Sequence, residues 1–73
     1  MQIAKVIVDI PAMQTNRPFD YAIPPAMEQK LGKGMRVEVP FNTRVIQGFI
    51  TEISDHTDFE GELKEIIQPL DIE

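Results

Sequence analysis

The sequence predicts an all-β domain: a small antiparallel β-barrel with at most one or two short helical turns. In Met35–Phe41, apolar side chains fall on every second position until a proline stops the run, the signature of a half-buried strand entering a turn. In Pro18–Pro24, a short aromatic segment places the Asp20 carboxylate between Phe19 and Tyr21, with a proline at each end. Five strand-like stretches of this length favour closure into a barrel, which removes exposed sheet edges.

The first strand runs from Ile3 to Ile10, with Ala4, Val6, Val8 and Ile10 on one face and Lys5, Ile7 and Asp9 on the other, before Pro11 ends it. Ala12 to Arg17 is polar and irregular. Phe19–Ile23 is the second strand, and its flanking prolines suit a sheet edge or a bend. Residues 24–31 allow a helical turn, which Gly32 and Gly34 stop by letting the chain reverse with positive φ. The third strand passes through Val37 and Val39. Asn42-Thr43-Arg44 forms its turn, because asparagine tolerates the left-handed conformation. Val45–Ile53 returns as the antiparallel partner, where Gly48 marks a bulge or a close backbone approach. Ser54–Glu62 is a polar, acidic surface loop with room for a short helical turn, and nothing in it points to function. Leu63–Leu70 is a last strand that closes the sheet before Pro69.

Seventy-three residues make one domain, spanning 1–73. A core of this size supplies about 3–5 kcal/mol of net stability without disulfides or metals. The chain has no cysteine, and its single His56 lacks the partners a metal cage needs. The ending Pro69-Leu70-Asp71-Ile72-Glu73 carries no capping or stop signal and reads as a cut at a domain edge, so a fragment of a longer chain is expected. No apolar run approaches the roughly 20 residues that span a bilayer, which leaves a cytoplasmic protein without a membrane partner as the expectation.

The net charge of −5 is unevenly distributed. Residues 1–48 hold six Lys/Arg against four Asp/Glu, a balance of +2, whereas residues 49–73 hold one against eight, a balance of −7. Proteins that grip many phosphates are basic over the whole footprint, so nucleic acid binding here would use few phosphate contacts.

Phe19 and Tyr21 share one strand face and Asp20 points to the other. The plain structural alternative is two rings packed in the core with Asp20 solvated or capping a turn. The functional alternative needs the pleat disturbed, as Pro18 and Pro24 allow, so that ring and carboxylate approach one ligand. An ionised carboxylate accepts hydrogen bonds from a sugar hydroxyl and repels phosphate, while a ring stacks under any base for about 1–3 kcal/mol. Arg17, Lys30, Lys33, Arg36 and Arg44 either ring one rim and touch phosphates or serve as scattered solubilising charge. Lys64 is the one Lys or Arg among the acids after Gly48, so something local calls for it, with a helix-end or salt-bridge role as the alternative. Met13, Met27 and Met35 read as core filler. No phosphate loop, nucleophile elbow or metal cluster is present, so no enzyme is expected in this chain.

In order, Phe19-Asp20-Tyr21, then Gly34 to Phe41, then Arg44 and Gly48-Phe49-Ile50, then Leu63-Lys64-Glu65-Ile66 resemble the N-terminal 3′ DNA-end binding domain of the primosomal protein N-prime (PriA) family of bacterial replication-restart helicases. The resemblance spans Ile3 to Leu70. It implies an OB-like barrel that binds the free 3′ hydroxyl of a nascent strand at a stalled fork, without base specificity and without catalysis. By that resemblance Phe19, Asp20, Asn42 and Lys64 line the pocket beside Tyr21, with Arg17 and Arg44 as phosphate contacts. Asn42 stands where the family usually carries glycine, yet asparagine still permits positive φ and keeps its main-chain amide available. The implied partners are forked DNA and the remaining domains of a parent helicase in the nucleoid. ATP, Mg and Zn belong to that parent and no cofactor to this chain. Two other readings stand beside it: a barrel that docks a basic protein or neighbouring domain through its acidic half, and a general single-strand binder of the OB type.

Overall fold

In the computed structural model, which describes residues 2–9 and 17–70, one antiparallel sheet is built from β1 (Gln2–Val8), β2 (Phe19–Ile23), β3 (Arg36–Phe41), β4 (Arg44–Ser54) and β5 (Gln68–Pro69). Its strand order is β2-β1-β4-β3-β5. The mainly antiparallel β architecture is thus as the alternation dictates, and β2 lies at an edge as its prolines require. Among the described residues β1 ends at Val8, and beyond it the Asp9 amide donates to the Gln47 carbonyl at 2.8 Å. Ile10, Pro11 and Met13, with the rest of segment 10–16, lie outside the described residues.

The core follows the strand period. Ala4 and Val6 from β1, Tyr21 and Ile23 from β2, and Val37 and Val39 from β3 pack with Leu31, Ile50 and Ile66, and Met27 and Met35 fill in from the side. On β4 the inward positions are Ile46, Gly48 and Ile50, and then Ile53. This change of parity comes from a bulge at Thr51: Lys5 pairs with Glu52 but Val6 with Ile50. The Thr51 hydroxyl donates to the Lys5 carbonyl at 3.1 Å across that irregularity.

Gly48 is a close backbone approach, and the bulge lies three residues beyond it. A Cβ there would fall 2.6 Å from Val6 Cγ1 and 2.8 Å from the Ile7 carbonyl oxygen. Asn42 has φ 55° at the tip of the β3–β4 hairpin, where Phe41 pairs with Arg44. Segment 24–31 forms a short 3₁₀ turn over Pro25–Met27, with Lys30 and Leu31 amides bonded to the Met27 carbonyl. Of the two glycines expected to reverse the chain with positive φ, Gly34 does so at 92°. Gly32 does not; it holds the turn through its carbonyl, which accepts from the Met35 amide at 3.2 Å.

The last predicted strand is corrected most. Residues 63–70 contain a single bridge at Glu65 and the two-residue β5, and Pro69 lies inside β5 rather than after the strand. The reason is a change of partner. The Ala22 amide donates to Lys64 and Ile66 donates back to Ala22, whereas Ile67 and Leu70 donate to Glu38 and Arg36 on β3. No ladder lengthens when successive residues serve different strands. This strap reaches both margins of a curled sheet, but β2 has no ladder with β3 or β5, so the sheet stays open where a closed barrel was expected. The 55–62 loop is exposed except at the half-buried Thr57 and contains no helical turn.

Candidate functional site

The β1–β2 ladder sets the site. Antiparallel pairing puts Phe19 opposite Val6, Asp20 opposite Lys5 and Tyr21 opposite Ala4. Phe19 and Tyr21 therefore face inward with Val6 and Ala4, and Asp20 and Lys5 share the other face, where Lys5 Nζ donates to Asp20 Oδ1 at 3.1 Å. The Tyr21 hydroxyl crosses the interior and donates to the Pro40 carbonyl at 2.8 Å, tying β2 to the end of β3. Burial pushes the Tyr21 hydroxyl pKa above its ordinary value of 10.0. The same approach of β2 to β3 sets the Phe19 and Phe41 rings edge to face, with centroids 5.4 Å apart and planes at 77°.

An open cleft of about 350 Å³ forms beside this edge, and Phe19, Asp20, Tyr21, Asn42 and Lys64 all line it. Strand alternation alone separates Asp20 from its neighbours. They meet because β2 is an edge strand with a second chain segment running alongside it, and Ala22 is bonded to Lys64 and Ile66 in that segment. The volume is at the lower end of the roughly 300–1,000 Å³ typical of small-molecule sites. A neighbouring cleft of about 740 Å³ shares Phe19 and Asp20 and adds Lys5 and Arg17, with Asp58 and Glu60 opposing their charge.

Two other expected features are not gathered here. Arg36 pairs with Phe49 and Arg44 with Phe41, at opposite ends of the β3–β4 ladder, so the cations of the first half do not share one rim. Arg44 does not line the cleft, though it flanks the hairpin tip that does. His56 is exposed and its Nε2 lies 3.1 Å from Asp58 Oδ1. Among the described residues no group of three His, Cys, Asp or Glu is placed to hold a metal, and no helix is long and apolar enough to cross a membrane.

Four further residues at the two clefts carry little or no functional signal in the sequence: Lys5, Phe41, Thr57 and Phe59. Lys5 was detectable by pairing β1 with β2 in antiparallel register, which puts it across from Asp20. Phe41 was visible only as the end of a strand. Thr57 and Phe59 lie in the acidic loop that carried no functional signal. The Thr57 hydroxyl donates to Asp20 Oδ2, and Phe59 lines both clefts.

A family model described as "3′DNA-binding domain (3′BD)" matches residues 5–73 of this chain. The chain is also 44% identical, over 73 residues, to the replication restart protein PriA of Bacillus subtilis (strain 168). That alignment covers 99% of the chain but 9% of the relative, so the chain spans about a tenth of the length of that protein.

Proposed function

The chain belongs to the 3′DNA-binding domain (3′BD) family, and on that premise we propose that it holds the free 3′ hydroxyl end of a DNA strand, without reading the base, in replication restart at stalled forks. The observation that carries the proposal is the meeting of the Asp20 carboxylate with Phe19, Asn42 and Lys64 around one cleft.

Each group has a chemical task in that reading. A carboxylate has about four lone-pair directions. Lys5 and Thr57 take one on each Asp20 oxygen, which leaves two for an incoming hydroxyl. A 3′ phosphate in the same place would bring its negative charge against the carboxylate. The aromatic side chains accept any base, because every base has a π-face. Lys64 meets the phosphate that joins the last two nucleotides, and Arg17 reaches the backbone from the neighbouring cleft. The hairpin tip at Asn42 offers main-chain groups to the sugar. On the same reading, the curled sheet and the strap of residues 64–70 act as the wall of an OB-like barrel. The remainder of a longer protein supplies helicase activity and its ATP and metal sites, and this domain delivers the nascent end at a fork to it.

Fluorescence anisotropy with short single strands tests the proposal. Strands ending in a 3′ hydroxyl bind more tightly than the same strands ending in a 3′ phosphate, and affinity stops rising after the first few nucleotides. Affinity that climbs steadily with length and ignores the end group would point instead to general single-strand binding.

A further inference from the structure

Resting on that reading, we propose that Phe59 is the stacking platform for the terminal base, and that Thr57 is the positioning residue that holds it at the cleft. Phe59 is exposed at 56%, in a loop otherwise made acidic by Asp55, Asp58, Glu60 and Glu62. An exposed ring among carboxylates loses the benefit of burial unless something covers it. It lines the 350 Å³ cleft together with Asp20 and Lys64, and the adjoining cleft as well. Phe19 is less suited to the task, since it is half-buried against the core and already set edge to face with Phe41. Phe59 is the most exposed of the rings that line this cleft.

Its position is fixed from both sides. The Thr57 hydroxyl uses its one donor on Asp20 and accepts from the Phe59 amide at 3.0 Å, so a single oxygen joins the carboxylate to the residue that carries the ring. Beyond it, Gly61 turns with φ 117°, and a Cβ on that residue would lie 3.5 Å from Phe59 Cε2, so the chain folds back beside the ring. The group that is to bind the sugar and the group that is to stack on the base are therefore held in one unit by Thr57.

The test measures anisotropy of labelled strands ending in a 3′ hydroxyl, with the last nucleotide either intact or abasic. Phe59→Ala weakens binding of the intact end by about 5-fold or more, the lower part of the range for one base–aromatic stack. It leaves the abasic end unchanged, and Phe59→Trp restores the affinity. Thr57→Val weakens the intact end more than the abasic end, which it also weakens because the same hydroxyl serves Asp20; Thr57→Ser does neither, and on the intact end Thr57→Val with Phe59→Ala together fall short of the product of their separate effects. Equal binding of the intact end by Phe59→Ala and the unsubstituted chain overturns the stacking role. A loss that is the same for intact and abasic ends also overturns it, because the base is then not what Phe59 holds. Thr57→Val binding like the unsubstituted chain overturns the positioning role. If the unsubstituted chain does not distinguish a 3′ hydroxyl from a 3′ phosphate, it is the end-recognition reading that fails, and the two failures are separable.

Discussion

Replacing Gly48 with alanine is predicted to destabilise the fold by an amount that follows from the geometry of the sheet. Gly48 sits on β4 between Val8 of β1 and Val37 of β3, so the β1–β4 and β3–β4 ladders both pass through it. The added methyl would stand 2.6 Å from Val6 Cγ1, 2.8 Å from the Ile7 carbonyl oxygen and 3.3 Å from the Val8 Cα. Val6 is completely buried and β-branched, and the other two atoms are backbone, so no flexible side-chain end is available to give way. Overpacking of this kind costs about 1–3 kcal/mol. Restricting the unfolded chain returns about 0.4–1 kcal/mol. The clash wins, with a net loss of about 1–2 kcal/mol. For a domain of this length that lowers the melting temperature by about 5–15 °C, a large effect where total stability is about 3–5 kcal/mol. Gly32→Ala is the control. A methyl there meets nothing within 4 Å and φ is outside the left-handed region, so the melting temperature stays level or rises slightly. Thermal unfolding followed by circular dichroism reads both. Equal melting temperatures for Gly48→Ala and the unsubstituted chain would refute the packing argument.

Tyr21→Phe removes the donor to the Pro40 carbonyl and costs about 0.5–1.5 kcal/mol, read as a shift in the urea midpoint with an unchanged slope. The same hydroxyl sets an alkaline limit. Its folded pKa lies above the unfolded value of 10.0, so its contribution is complete below pH 10 and is lost as pH rises through the folded value. The unsubstituted chain should therefore lose stability above that pH more steeply than Tyr21→Phe; parallel curves would contradict the burial of this group. Because this is the one tyrosine in the chain, phenolate absorbance reports its titration directly. With one or two phosphate contacts, from Lys64 and Arg17, the logarithm of the binding constant should fall against that of salt with a slope of about −0.7 to −1.4. A slope several times steeper would show a phosphate-gripping surface that the charge distribution does not provide.

The parts of this fold that depend on local pattern were legible in the sequence. Two-residue alternation marked β1 and β3, the flanking prolines marked β2, Asn42 announced the hairpin that returns as β4, and Gly48 marked a bulge or a close backbone approach, of which the approach is realised. What stayed hidden depends on partners far along the chain. Ile3 is buried on the face that carries Lys5, because Thr57, Leu63 and Glu65 come to line a cavity over it. The strap over 63–70 reads as one strand, but it divides its hydrogen bonds between β2 and β3 and so forms only the two-residue β5. At the site, Phe19-Asp20-Tyr21 was visible as a cluster because its members are adjacent. Thr57 was not, since it meets Asp20 from 37 residues away and an acidic loop gives no periodicity to read.

The central claim is most directly tested by the coupling between Asp20 and the terminal hydroxyl. Binding of strands ending in a 3′ hydroxyl and in a 2′,3′-dideoxynucleotide should be compared for the unsubstituted chain and for Asp20→Ala. Lys5 is partly exposed, so its ammonium can hydrate when the carboxylate is removed and the domain stays folded. A hydrogen bond to a charged acceptor is worth about 1.5–3 kcal/mol, so the unsubstituted chain should prefer the hydroxyl end by about 10-fold or more and Asp20→Ala should show no preference. The same preference in both proteins, or none in either, would contradict the account.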